Sequence, residues 1–477
     1  MNKLNALTDH IIGRVNINLR KPTVDVAPYV KGCIQQDNLA QYYAFYALTT
    51  DHPMSFAFNN SSLAGTYFLG KCSVDHSILY KADIRGDELK SKGTVVTVGD
   101  EKIETFADEV IDIRHSFLVK TLVHNCSHDP ENLEKFKILN TVALHYSNIH
   151  GTPVEGCLLE PFSTVDLSIC HDCRIGTYSY VQAGELSHEH IEPGRIWIKA
   201  DGLFEFNYTY PEGVIEKYIS MDNDVNPQGI FMDFFNERKE DFMPVYCSVQ
   251  PDVVEHPESA FVSPYSVIKG NCKIGENVLI AQRAYVEDSE MGEGANAQEN
   301  CYIINSIYEG RDVTAHGGKV INCHLGEQVF VGFNSFLRGL PDSRIKIGAG
   351  SIVMPHTIMD AESPIEIPEN TLVWGYITSQ EDLEMNSVSL NEIRKVKAFE
   401  LGNMTFQGVG EKFLRAFKGR IEHILEENGA FFDGTEETRG HAQKTQNVSY
   451  NLLQPYQQGG LLGMCPTMKI EGLPNGE

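Results

Sequence analysis

An aliphatic residue returns at every sixth position through much of the second half of the chain. Val262, Ile268, Ile274, Ile280 and Val286 keep the interval across VSPYSV, IKGNCK, IGENVL, IAQRAY and VEDSEM. The beat slips by one and resumes at Met291, Ala297 and Ile303. It runs on through Ile307, Val313, Leu325, Val331 and Leu337, then returns after a loop at Ile347, Val353 and Met359. An amphipathic helix needs apolar residues at i, i+3, i+4 and i+7, and a half-buried strand needs strict alternation, so neither fits. Short strands joined by tight bends do fit, each sending one aliphatic side chain inward. Three such faces make a coil of about 18 residues, and the coils stack into a continuous core. Glycines in IGENVL, IGAGSI and VGFNSF supply the positive φ that sharp corners demand.

This rhythm resembles the hexapeptide-repeat, left-handed parallel β-helix. The left hand is what the resemblance implies, since parallel crossovers are ordinarily right-handed. A fainter beat in the first half (Phe68, Val74, Tyr80, then Ala143, Ile149, Val154, Ile175 and Val181) is broken by polar stretches around 90–108 and 128–138. The expected architecture is therefore mainly β: two left-handed parallel β-helix units with flanking α-helices. The first unit spans 61–199 after an N-terminal segment 1–60, and the second spans 251–380. Residues 200–250, rich in aromatics and acids, read as a strand-and-helix connector. In 381–430, residues 389–402 and 410–427 have helical spacing, with Phe413, Ala416, Phe417, Ile421 and Ile424 on one face. The last segment, 431–477, reads as an extended arm ordered by a neighbouring chain.

Charge narrows the partners. With 39 basic and 65 acidic residues the formal charge is −26, which argues against nucleic acid and against anionic membrane surfaces. No run approaches the roughly 18 apolar residues of a membrane span, and the N-terminus has no apolar core or small-residue cleavage site. The 11 cysteines are scattered, and the nearest to a metal pattern is the lone CHDC of Cys170–Cys173. Reduced thiols in a cytoplasmic protein are the expectation.

Chemistry concentrates in the first unit. ILYKADIRGDE (78–88) is followed by LVHNCSHD (122–129) and NTVALHYSNIHG (140–151). His145 and His150 are five apart, which on a helix diverges by about 140° and on a flat strand points to opposite faces. On a three-sided coil, five residues carry the chain around a corner onto the next face. The order of these motifs resembles the gamma-class carbonic anhydrases. That resemblance implies a homotrimer in which His124, His145 and His150 bind zinc, or another divalent metal such as iron or cobalt, between subunits. It implies Arg85 and Asp87 as an ion pair near the interface and Glu88 as an aid to proton transfer. It implies hydration of carbon dioxide to bicarbonate. His128 or His115 could stand in place of His124.

Other readings stay open. Hexapeptide β-helices also serve as acetyl-CoA-dependent acyltransferases that use one histidine as general base, and His316 or His171 could fill that role. A β-helical scaffold subunit of a larger complex is a third reading. In the second unit, DVTAHGGKVINCHLGEQVFVG (312–332) repeats the theme with His316, but Ile321 stands five residues on. His188 and His190 in ELSHEHIEPG, with Cys170, His171 and Cys173, are further ligand candidates.

Overall fold

The computed structural model describes residues 2–19, 24–49, 55–98, 101–125, 135–221, 225–247 and 254–472. The chain divides into two compact units. Unit 1 comprises Met1–Gly194, Ile215–Glu237 and Val448–Glu477, and unit 2 comprises Arg195–Val214 and Arg238–Asn447. Each is built on a β-helix, as the six-residue rhythm predicts.

In unit 1 one face stacks Asp83–Gly86, Leu122–His124, Asn148–His150, Thr164–Asp166 and Tyr180–Gln182, all parallel. A second stacks Ile111–Arg114, Lys137–Leu139, Val154–Glu155, Ser168–His171 and Gly184–Ser187. A third stacks Ile78–Tyr80 through His190–Ile191. On the first face Val123, Ile149, Val165 and Val181 point inward and are fully buried. Uninterrupted coils are mostly shorter than the expected 18 residues, although the first of unit 2 keeps that length, with Val267 paired to Tyr285 (285 − 267). Thr164 pairs with Tyr180, 16 positions on (180 − 164), in unit 1. Tyr285 pairs with Tyr302, 17 positions on (302 − 285), in unit 2. Some faces thus hold five residues rather than six, which is why the beat slips.

Small polar side chains line one interior corner as a ladder. Each accepts from the amide one coil further: Ser61 from Ser77 (3.1 Å), Ser77 from Ser116 (3.1 Å), Ser116 from Thr141 (3.2 Å), Thr141 from Cys157 (3.4 Å) and Cys157 from Cys173 (3.3 Å). The ladder satisfies amides that the tight corner turns away from strand partners. It also explains the cysteines. Cys157, Cys170 and Cys173 are buried core residues, and all ten cysteines among the described residues are free thiols.

The outer corners carry left-handed residues one coil apart, and helices dock on them. Tyr146, Phe162 and Tyr178 have φ of 62°, 60° and 56°. Helix α1 (Lys3–Asn18) places His10, Arg14 and Asn18, spaced four apart on one face, over a second column. There His10 Nε2 meets His115 Nδ1 at 3.2 Å, Arg14 Nε donates to Asn140 Oδ1 at 2.6 Å and Asn18 Nδ2 donates to Asp172 Oδ1 at 3.2 Å. Helix α2 (Ile230–Glu237) lays Phe235 on Tyr146 at 4.2 Å and Phe231 against Phe162 and Tyr178 at 5.2 and 5.4 Å between ring centroids. The aromatic run at 231–235 is thus the cap of an aromatic corner.

Three expectations need correction. The C-terminal segment is ordered within its own chain: Ser449–Leu453 pairs antiparallel with Ala44–Leu48, and Met468–Glu471 with Ser55–Asn59. Exposed edges of the first coil recruit it. Residues 389–402 are not one helix but a single turn, Leu390–Ile393, followed by the strand Ala398–Leu401. Helix α3 (Gly410–Glu427) buries Phe413, Leu414, Phe417 and Leu425, leaving Ala416 exposed and Ile421 and Ile424 half-buried. Its apolar stripe is rotated from the expected one because Phe413 packs against Phe206 and Phe406 of a neighbouring antiparallel sheet. The polar stretch 90–108 holds a hairpin, Val95–Val98 with Glu101–Glu104.

Candidate functional sites: a histidine column in unit 1 and a buried dyad in unit 2

Position after the inward residue decides which side chains stand outside the first face of unit 1. After Val123 comes His124, after Ile149 comes His150, and after Val165 comes Asp166. Register places His124 opposite Arg85 and His150, and His150 opposite Asp166. The rings of His124 and His150 meet edge to face, 5.0 Å between centroids. His150 Nδ1 donates to Asp166 Oδ1 at 2.9 Å, and Asp166 in turn accepts from the Tyr180 hydroxyl. That bond fixes the tautomer of His150 and leaves Nε2 as its lone-pair nitrogen. Glu88 Oε1 lies 3.1 Å from His124 Nε2. Arg85 and Asp87 form a buried bidentate ion pair at 2.5 and 3.2 Å. Two imidazoles, each beside a carboxylate, are a donor set that zinc and its neighbours accept, so the residues present fit such an ion.

His145 lies elsewhere. It sits in the turn after Val142–Ala143, around the corner from His150, and makes no ring contact with His124 or His150. Burial, with the nearby Lys120 charge, holds its pKa well below the usual histidine range, so it is neutral. The structure thus brings together two of the three predicted ligands within one chain. His128 lies outside the described residues. His115 stands on a different corner, against His10, and is not available in place of His124. His171, His188 and His190 form partly exposed pairs with Glu155, Asp172 and Glu192 at 3.7–3.9 Å and share no metal-capable cluster among the described residues. Cys170 and Cys173 belong to the core and its corner ladder.

Sequence reading missed Asp166 and Tyr180. The signal was there: with a 16-residue coil, Asp166 is His150 plus one turn, and only the assumed coil length hid it.

In unit 2 His316 Nδ1 lies 2.7 Å from Glu299 Oε2, and the two side chains are 2% and 1% exposed. Glu299 occupies the same corner one coil earlier. Three residues after His316, Lys319 is buried, and desolvation lowers its ammonium pKa to about 7.

Known proteins can be set beside this geometry. The family model for hexapeptide repeats including a loop matches residues 101–223. A crystal structure from Desulfovibrio desulfuricans G20, which carries a provisional acetyltransferase assignment, is 51% identical. The match covers 99% of this chain and 100% of that one, with a TM-score of 0.92. The carboxysome assembly protein CcmM of Nostoc sp. strain PCC 7120 is 31% identical over 148 residues, 27% of this chain. The chain spans 26% of that relative's length. With the repeat visible in sequence, the stacked coils and a relative matched from end to end, the chain belongs to the hexapeptide-repeat, left-handed β-helix superfamily.

Proposed function

We propose that the protein transfers an acyl group from a coenzyme A thioester to an acceptor. The observation that carries this reading is the end-to-end similarity to the Desulfovibrio protein with its provisional acetyltransferase assignment. The His316–Glu299 pair supplies chemistry that fits it. Glu299 fixes the Nδ1 side of the ring and stabilises an imidazolium, so Nε2 serves as general base. It takes the acceptor's proton as the acceptor oxygen or nitrogen attacks the thioester carbonyl. The C–S bond then breaks and the thiol of coenzyme A leaves. Thiol release from acetyl-CoA, followed against a panel of amines and alcohols, tests this. Release should depend on the acceptor and fall about 100-fold or more in His316→Ala. A purified protein that does not bind acetyl-CoA sinks the reading.

A second reading rests on a different observation, the His124–His150 column and its carboxylates. In it unit 1 binds zinc, iron or cobalt and hydrates carbon dioxide, with His145 of a neighbouring copy in a homotrimer as third ligand. The metal would acidify water for attack on carbon dioxide. Asp166 holds His150 in its ligating tautomer, and Glu88 moves a proton beside His124. Asp166→Asn should weaken metal binding about 10–100-fold, read by metal titration, and slow hydration in stopped-flow assays. Metal-free, monomeric protein overturns it. If neither activity is found, the scaffold reading remains, and co-purifying proteins would be its positive sign.

A further inference from the structure

The corner ladder of unit 1 changes its chemistry at its last two rungs. The first four are hydroxyls, Ser61, Ser77, Ser116 and Thr141, and the next two are thiols, Cys157 and Cys173. Sulfur is a weak acceptor, so taking a hydrogen bond from an amide does not call for it. Unit 2 carries an equivalent ladder, in which Ser289 accepts from Ser306 N at 3.0 Å and Ser306 from Cys323 N at 3.1 Å. Register puts Cys272 one rung before Ser289, because Lys273 pairs with Glu290. Two hydroxyl rungs therefore separate the thiols of unit 2. Unit 1 instead sets two thiols on successive coils.

Geometry brings these two sulfurs together. Cys157 and Cys173 directly precede the register pair Leu158–Arg174, so their Cα atoms stand one coil apart, about 4.8 Å. A disulfide spans roughly 4.4–6.8 Å between Cα atoms. The Cys173 amide donates to Cys157 Sγ at 3.3 Å, and the two thiols are in hydrogen-bonding contact with each other. Side chains of stacked neighbours run parallel, so their Cβ atoms keep a spacing slightly beyond the roughly 3.5–4.5 Å of a relaxed disulfide. Closing the bond strains the coils, and a strained disulfide is readily reduced. Cys170 also contacts Cys173 and is the competing partner. Access comes from the end of the stack. The third face of unit 1 ends at His190–Ile191, one coil past Arg174–Ile175. End coils open locally more readily than middle ones, and lifting this one uncovers Cys173 to a small oxidant.

We propose that Cys157 and Cys173 form a redox-modification site, at which a peroxide joins them in a reversible disulfide that staples two successive coils of unit 1. The Cys173 sulfur attacks the peroxide, the O–O bond breaks, and a sulfenic acid and one water form. The Cys157 sulfur then attacks the sulfenic sulfur. The S–S bond forms, the S–O bond breaks, and the second water leaves. Two thiols are oxidised and one hydrogen peroxide is reduced to two waters. The coil that starts at Cys157 carries Asp166, and the coil that starts at Cys173 carries Tyr180, whose hydroxyl donates to Asp166. Oxidation thus clamps together the two coils that orient His150.

The test reads sulfur alone and depends on neither activity proposed above. Full-length protein is treated with enough hydrogen peroxide to oxidise the exposed Cys247, then digested without reduction and analysed by mass spectrometry. A Cys157–Cys173 peptide pair is expected, restored to thiols by dithiothreitol. Cys170→Ser should keep it. Cys173→Ser should abolish it with the fold kept, because serine already serves as a rung at Ser61, Ser77 and Ser116. In the oxidised wild type, amide exchange over 174–182 should slow about tenfold or more, and Cys173→Ser should show no such change. Unlinked Cys157 and Cys173 at that peroxide dose, a Cys170–Cys173 link in their place, or unchanged exchange on oxidation overturns the proposal.

Discussion

The two units carry the same local sentence with different words. HYSNIHG (145–151) in unit 1 matches HGGKVIN (316–322) in unit 2, with Ile149 and Val320 as the buried inward residues. The corner histidine is kept in both, His145 and His316. The outward position one residue past the core is not. In unit 1 it reads His124, His150, Asp166 up the column; in unit 2 it reads Ile304, Ile321, Arg338, with Arg338 paired bidentately to Asp360 at 2.8 Å. The coil needs only its inward residue and its corners. Everything outward is free, so one architecture holds two histidines and an aspartate in one unit and two isoleucines flanked by charged residues in the other.

The largest expected effect breaks this contrast directly. His150→Ala should weaken the binding of one metal equivalent about 100-fold or more. Ile321→Ala should leave metal binding unchanged and cost only part of the roughly 2–5 kcal/mol of a large-to-small change, since Ile321 lies at the edge of the core. Metal titration and urea unfolding read the two outcomes. Equal loss in both variants would end the idea that the outward column distinguishes the units.

How much of this could be read beforehand follows from the same division of labour. Inward residues repeat, so Val262 through Met359 announced the β-helix without any structure. Corner residues repeat less strictly. Asn, Gly, Asp, His and Tyr all adopt positive φ here, so the corner columns and the α1 residues that match them were invisible, His10 among them. Outward residues do not repeat at all. His124 and His150 were legible only through resemblance, and Asp166 was lost to an error of two residues in coil length. The tail's pairing with the first coil depends on edges at least 401 positions away in sequence (449 − 48 = 401), which no local pattern records.

A second contrast lies three residues past the corner histidine. Unit 1 has Asn148, whose amide donates to Thr164 Oγ1 at 3.0 Å; unit 2 has Lys319, with its pKa lowered from 10.5 to about 7. The unfolded chain keeps the lysine protonated up to its ordinary pKa, while the folded unit releases the proton near 7. Between those values the unfolded state holds more protons, so stability rises with pH. From pH 7 to 8, below the range in which the unfolded chain's thiols ionise, the urea midpoint of the wild type should climb. Lys319→Met should be more stable at pH 7 and lose that slope. A wild-type midpoint that is flat or falling over this window contradicts a neutral buried lysine.

The smallest contrast is at the corner itself. Tyr146 and Gly317 follow the two corner histidines with φ of 62° and 73°. Unit 1 places a side chain there and covers it with Phe235 and Phe162 at 4.2 and 5.0 Å. Unit 2 leaves it bare, and an added Cβ would stand 2.3 Å from Asn334 Oδ1. Gly317→Ala therefore meets both the left-handed penalty of about 1–2 kcal/mol and a crowded neighbour. Tyr146→Phe keeps the backbone and both ring stacks and gives up the hydroxyl's bond from Lys120 Nζ at 3.0 Å. Its cost should stay within about 0.5 kcal/mol, the scale of a surface change. Urea unfolding of the two variants ranks them. If Tyr146→Phe proved the more damaging, the lysine–hydroxyl bond would be anchoring this corner, and the ring stacks would be secondary.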